Sequence, residues 1–286
     1  MEIHKPSGIN IQQQVTRFAK DVQELCATDL DAGLGALHID HEGQYIHIHP
    51  IHTALLTELM AKSLNIPEPE RISMIAAALT ANIGMLELQA TLYGQKEPLS
   101  PRQQEEIWAH PKLGVTLLEK VGVTDALWLD MILHHHERFN GTGYPSGLSG
   151  DSVKIGVRVI SLADTYSAMV MPRSYRSALQ AKEALKKIFL KSGGDIDESL
   201  AHAFIKELGI YPPGTFVRLV NGEIAVVIKR GSSAKNPVVQ SIISPRGGPY
   251  SIPRQHNCEQ DMYKIKEVAP REKNLPVSLR KLWGYD

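Results

Sequence analysis

The chain is 286 residues long, 43% hydrophobic and 22% charged, with 31 basic and 31 acidic side chains that leave a formal net charge of zero. This composition can supply a core and argues against disorder, while the balanced charge argues against a polycation that holds nucleic acid or anionic lipid by bulk attraction. No apolar stretch reaches bilayer length, the N-terminus lacks a signal-peptide pattern, and Cys26 and Cys258 stand too far apart for a thiolate metal motif, so a cytoplasmic protein with no membrane span and no DNA partner is expected.

In chain order, residues 10 to 28 read as a helix, with Ile11, Val15, Phe18, Val22 and Leu25 spaced three and four apart. A Gly/Asp-rich connector (Asp29 to Gly35) and a His-dense stretch (His38 to His49) follow. Pro50 to Leu64 is an amphipathic helix that the prolines at 67 and 69 break, and residues 70 to 81 are apolar enough for a buried helix. Ser100-Pro101 is a helix start that should end or bend near His110-Pro111, because a proline disfavours helical geometry in the residue before it. Helical patterns resume at Leu113 to Val121, Asp125 to Glu137, Val153 to Met171, Lys182 to Lys191 and Glu198 to Leu208. Tyr211-Pro212-Pro213-Gly214 then marks a linker into β-patterned sequence: Thr215 to Val220 and Glu223 to Lys229 joined at Asn221-Gly222 as a hairpin, and Pro237 to Ile243 as a third strand. The expected organisation is an N-terminal helical extension (1–44), a helical domain (45–210) and a small β module with a tail (211–286).

Nine of the twelve histidines lie between His38 and His136. His49 stands at a predicted helix start, His110 just before Pro111 and the run His134-His135-His136 at the end of another predicted helix, and Asp164 sits inside an apolar helical pattern where a carboxylate must be paired, hydrogen-bonded or metal-bound. Helical bundles build metal sites in their cores from such donors, although each residue alone reads equally as a hydrogen-bonded core group or a solvated helix end.

Several separate motifs resemble the HD-GYP family, the branch of the HD phosphohydrolases associated with hydrolysis of cyclic di-GMP. They are His135-His136-Glu137, Gly143-Tyr144-Pro145, Gly147-Leu148, Gly150, Arg158, Ala163-Asp164 and Pro172-Arg173-Ser174-Tyr175-Arg176, within roughly residues 45 to 205. The resemblance implies an HD-type helical bundle, and with the module behind it a mainly α fold with a small β-rich C-terminal part. It implies metal donors at His49, His110, His135, His136 and Asp164. It also places the ligand against Gly143, Tyr144 and Pro145, with Arg173 and Arg176 toward phosphates.

The chain departs from the pattern at the doublet that names the family. Where the family reads His-Asp-Ile-Gly-Lys, this chain reads Ala81-Asn82-Ile83-Gly84-Met85, and Tyr45 stands where a Glu precedes the first His by four residues. A two-metal hydrolase holds its ions about 3.5–4 Å apart, and a bridging carboxylate makes that approach tolerable. Asn82 offers a neutral oxygen, Ala81 nothing, and Met85 an apolar group in place of a cation. With no catalytic residue intact at Ala81, Asn82 and Met85, the sequence reads as a degenerate HD-GYP protein of cyclic di-GMP signalling. In this reading it is nucleotide-binding or regulatory, and it carries one divalent transition metal (iron, manganese or zinc). An active metal-dependent phosphodiesterase with a rearranged site is the alternative, and an interaction scaffold without metal or nucleotide a second. The partners the resemblance implies are cyclic di-GMP and GGDEF-type or other signalling proteins, with a homodimer as the expected assembly.

Overall fold

The computed structural model describes residues 10–40, 44–172, 178–270 and 277–285. Its helical part runs α1 (Ile11–Ile39), α2 (Tyr45–Ser63), α3 (Glu68–Thr80), α4 (Leu86–Gly94), α5 (Pro101–Lys120), α6 (Ala126–His134), α7 (Ile155–Val170), α8 (Ala181–Lys191) and α9 (Glu198–Leu208). A five-stranded antiparallel sheet follows: β1 (Phe216–Leu219), β2 (Ile224–Lys229), β3 (Val238–Ile243), β4 (Pro249–Asn257) and β5 (Ile265–Val268), in the order β4-β3-β2-β1-β5, with a short α10 (Leu279–Leu282) after it. A helical bundle followed by a small β module is the class the sequence implies.

Two expected breaks are absent, each for a local reason. The Gly/Asp-rich connector is helical: the backbone leaves helical geometry only at Asp29 (φ −157°, ψ 82°), whose Oδ1 accepts the Ala32 N–H at 2.9 Å and so caps a second helical segment. The helix begun at Ser100, closed by a Ser100–Gln103 capping box, runs through Pro111 to Lys120. Helix α4 and strands β4 and β5 have no counterpart among the expected elements.

The core of the bundle is built from α2, α3, α5, α6, α7, α8 and α9 and includes Met60, Met74, Trp128, Met131, Ile132, Ile160 and Phe204. The apolar run 68–94 would suffice by length and composition to cross a bilayer. It is divided at residues 81–85 into pieces of 13 and 9 residues, both below spanning length. The second half of α1 is shared with the sheet. Ile39 packs with Phe216, Val226, Ile242 and Leu282, and Asp31 holds the Arg230 guanidinium at 2.5 Å. His38 bridges the Pro213 carbonyl (2.8 Å) and the Tyr166 hydroxyl of α7 (3.0 Å). The β module is thereby tied to α1 and, through His38 and Tyr166, to α7, the helix that carries Asp164.

Candidate metal centre

Three imidazoles converge where α5 meets the end of α6. His110, His135 and His136 each offer a donor atom within 4.8 Å of the other two, and His110 and His135 are both 1% exposed. Backbone chemistry orients the first two. In an α-helix the Ile107 carbonyl would accept the N–H of residue 111, but that residue is proline and has none. The freed oxygen takes His110 Nδ1–H at 2.5 Å. At the end of α6 the Ile132 carbonyl, orphaned by helix termination, takes His135 Nδ1–H at 2.7 Å.

These two bonds fix the tautomers. A carbonyl only accepts, so both Nδ1 atoms carry the proton and both Nε2 atoms are bare. The two Nε2 atoms nevertheless face each other at 3.2 Å. Burial pushes His110 down to about 4, and the neighbouring His135 adds to this against the Ile107 carbonyl and Asp164. Burial likewise lowers His135 and His136. At neutral pH no proton lies between the facing lone pairs, and the buried Nε2 of His136 has no partner at all. Two bare nitrogens beside a third imidazole whose buried Nε2 is unpartnered, with donor atoms gathered within 4.8 Å, form a set that suits zinc or iron.

His49 and Asp164 form an adjoining pair. His49 Nε2–H donates to Asp164 Oδ1 at 2.8 Å, and buried Nδ1 is left without a partner. Burial opposes the Asp164 charge, yet the His49 imidazole outweighs it and holds the carboxyl below the usual carboxylate range. The Asp164 charge is felt at His110, His135, His136 and the Tyr144 hydroxyl, so the five expected donors share one electrostatic neighbourhood. The structure pairs His49 with Asp164 and groups the other three.

The Gly-Tyr-Pro loop is seated on the same helix end. Tyr144 stacks on His136 with ring centroids 4.8 Å apart and an interplanar angle of 22°. Gly143 lies so close to the His136–Arg138 backbone that a Cβ there would sit 2.4 Å from Arg138 N and 2.5 Å from His136 O. Glu137, 2% exposed, accepts the Ser146 N–H at 2.6 Å and the Leu148 N–H at 3.0 Å. Sequence reasoning recorded Glu137 as part of a motif and missed this anchoring role. The available signal was a carboxylate directly after two ligand-type histidines and before a Gly/Pro loop. Arg158 joins Asp197 (2.8 Å) and Asp151 (2.9 Å) and is structural.

At the doublet, Ala81 is 1% and Asn82 6% exposed, and neither supplies a carboxylate or an imidazole. Gly84 has its own reason to be there: a Cβ would lie 2.2 Å from His110 O and 2.8 Å from Gly114 N, so this glycine lets the 83–85 turn pack on α5 beneath His110. Arg173 and Arg176, the expected phosphate contacts, lie outside the described residues. Trp128 lies in the core, its Nε1–H donating to Thr80 Oγ1 at 2.8 Å. Trp108 is 56% exposed, on the face of α5 that turns away from the bundle.

Comparison with known proteins points to the same family as the motifs. A family profile for the HD domain matches residues 34–200. A cyclic di-GMP phosphodiesterase of Pseudomonas aeruginosa is 31% identical over 245 residues, covering 84% of this chain and 59% of that protein. The 3'3'-cGAMP-specific phosphodiesterase 3 of Vibrio cholerae is 30% identical over 174 residues, covering 61% of this chain and 38% of that protein. The chain thus spans less than two thirds of the length of either relative. An HDGYP protein from Bdellovibrio bacteriovorus shares the fold, with TM-score 0.53 and 20% identity over 66% of this chain and 60% of that one.

Proposed function

The chain belongs to the HD-domain phosphohydrolase family, in its HD-GYP-like branch, and from that premise we propose that it is a metal-dependent phosphodiesterase of cyclic dinucleotides working from a rearranged centre with one tightly held cation. The observation that carries this reading is the convergence of three imidazoles, with the bare Nε2 atoms of His110 and His135 facing each other at 3.2 Å and the buried Nε2 of His136 without a partner. His110, His135 and His136 would hold the ion. When bound, such an ion acts as a Lewis acid toward a phosphoryl oxygen and lowers the pKa of water. The protein's own groups do the rest. Asp164 stays ionised and fixes His49 through the 2.8 Å bond. Burial raises the Tyr144 hydroxyl well above its ordinary value, so it stays protonated and can donate to a phosphate oxygen. Glu137 keeps the loop carrying Tyr144 in place. The relatives named above are phosphodiesterases, which weights the reading toward turnover rather than toward the purely regulatory role expected from the doublet.

A second reading, nucleotide binding with impaired hydrolysis, is favoured by Ala81, Asn82 and Met85, which supply neither a bridging anion nor a cation for the phosphate. Elemental analysis of purified protein beside a turnover assay on cyclic di-GMP separates the readings. One metal per chain with cleavage to the linear dinucleotide supports the enzyme. One metal with binding and no cleavage supports the regulator. No metal and no binding would leave only a scaffold. Arg173 and Arg176 as phosphate contacts, GGDEF-type proteins as partners, a homodimer and a cytoplasmic location belong to the same proposal.

A further inference from the structure

Beside the three histidines stands a set of rings that the metal reading leaves unused. Tyr45, in the first turn of α2, is 4% exposed and stacks on His49 with centroids 4.9 Å apart and planes 11° apart. Tyr93 of α4 stacks on Tyr45 in turn, at 5.7 Å and 27°. The series Tyr93–Tyr45–His49 ends at Asp164, in the neighbourhood of the candidate metal centre. Tyr45 is buried between its neighbours, whereas Tyr93 is 38% exposed and has ring surface left for a ligand. One helical turn before Tyr93, and so on the same face of α4, lies Gln89. It is 7% exposed, and its Oε1 has no hydrogen-bond partner. That is an uncommon state for a buried amide, and a donor on a bound ligand would resolve it.

We propose that Tyr93, backed by Tyr45, is a stacking platform for one purine base of a cyclic dinucleotide whose phosphodiester lies at the three histidines, with Gln89 Oε1 accepting from the base edge. This rests on the nucleotide reading above and adds the residues that would hold the base. Stacking on an aromatic ring needs only the π-face that every base presents, and an amide beside the ring adds an edge that can discriminate. Tyr144 stacks on His136 from the loop, so the centre has a tyrosine on the α4 side and another on the loop side, which suits a ligand with two bases. The substitution of Tyr45 for a carboxylate then has a purpose of its own. The position that lost a charged donor now supports an aromatic platform.

The test is calorimetric titration of the metal-loaded full chain with a cleavage-resistant analogue of cyclic di-GMP. Tyr93→Leu keeps apolar bulk against Tyr45 and removes the π-face. Loss of one base–aromatic stack weakens binding roughly 5- to 150-fold. Tyr93→Phe should bind like wild type, and Gln89→Met, which keeps the length and loses the acceptor, should also weaken binding. None of these residues is a proposed metal donor, so metal content should stay at the wild-type value in all three variants, and thermal melts check that each is folded. If wild type binds the dinucleotide and folded Tyr93→Leu binds it equally well, the platform is refuted while the nucleotide reading stands. If metal-loaded wild type does not bind the analogue, the nucleotide reading falls and takes the platform with it.

Discussion

Replacing Pro111 with alanine should make the protein slightly more stable and its metal site weaker, a pair of opposite signs that follows from one carbonyl. Pro111 is buried within α5 and leaves the Ile107 oxygen to His110 Nδ1–H at 2.5 Å. Alanine restores a backbone N–H and recovers up to about 3 kcal/mol of helix propensity. Against this stand two lost ring methylenes, about 0.8 kcal/mol each, and up to about 1 kcal/mol from a more flexible unfolded chain. The net gain is about 0–1 kcal/mol, a rise in melting temperature of a few degrees at most for a domain of this size. The new N–H competes for the oxygen that orients His110. Disturbing such an outer contact of a metal-bound histidine typically lowers affinity 10- to 100-fold. The carbonyl has two lone pairs and can serve both donors imperfectly, so the low end, about tenfold, is expected. The assay is a melt of metal-free protein together with a chelator-competition titration. A folded Pro111→Ala protein with unchanged metal affinity would refute the claim that the freed carbonyl sets the His110 tautomer.

Four further outcomes follow. The triple change Ala81→His, Asn82→Asp and Met85→Lys should raise metal content from one to two per chain and increase cyclic di-GMP cleavage, while single changes do little because the residues act as a unit; a folded triple variant that still holds one metal would contradict this. Glu137→Ala removes the carboxylate that accepts from Ser146 and Leu148 and should cost about 1–3 kcal/mol in a thermal melt, with faster proteolytic cleavage within residues 141–150. His38 is pushed down to about 4 by burial, against its two backbone hydrogen bonds. Below its ordinary value near 6.5 the unfolded chain takes up that proton first, so His38 contributes stability in full above pH 6.5 and loses it as pH falls toward 4. The other buried histidines titrate too, so the measurement is the difference between wild type and His38→Gln. The drop in stability from pH 7 to 4.5 should be smaller in the variant by roughly 1–3 kcal/mol, and equal drops would contradict the assignment. Stripping the metal with a chelator should lower the melting temperature of wild type and leave His135→Ala unmoved, because a ligand bound only by the folded state stabilises it by mass action.

Much of the bundle is legible in the sequence because its helices have strong local signals: the Ser100-Pro101 start, the Asp125 cap and the apolar spacing of α7 through α9. The errors lie where tertiary contacts override local preference. Asp29 to Gly35 has the composition of a loop, yet it folds as helix between the bundle and the sheet, with Asp31 paired to Arg230 across 199 residues. Pro111 reads as a break, but α5 continues through it and the missing N–H is put to use by His110. Strand β4 carries Pro253 and an exposed, irregular pattern at the sheet edge, so it lacks the alternation that identified β1 and β2. At the site, the histidines were legible from the order of motifs. Their tautomers were not, since these depend on carbonyls one turn away. The Tyr93–Tyr45–His49 stack was out of reach as well, because it joins residues 44 and 48 positions apart on two helices, one of which had no local signature.

The central claim is that His110, His135 and His136 together hold one cation. Anomalous diffraction from crystals of the purified protein, collected on both sides of the iron, manganese and zinc absorption edges, tests it directly. A single peak about 2.0–2.2 Å from a nitrogen of each of the three histidines is expected. Two peaks about 3.5–4 Å apart, as in an intact binuclear hydrolase, would contradict it. So would a lone peak at His49 and Asp164 with the three histidines bare.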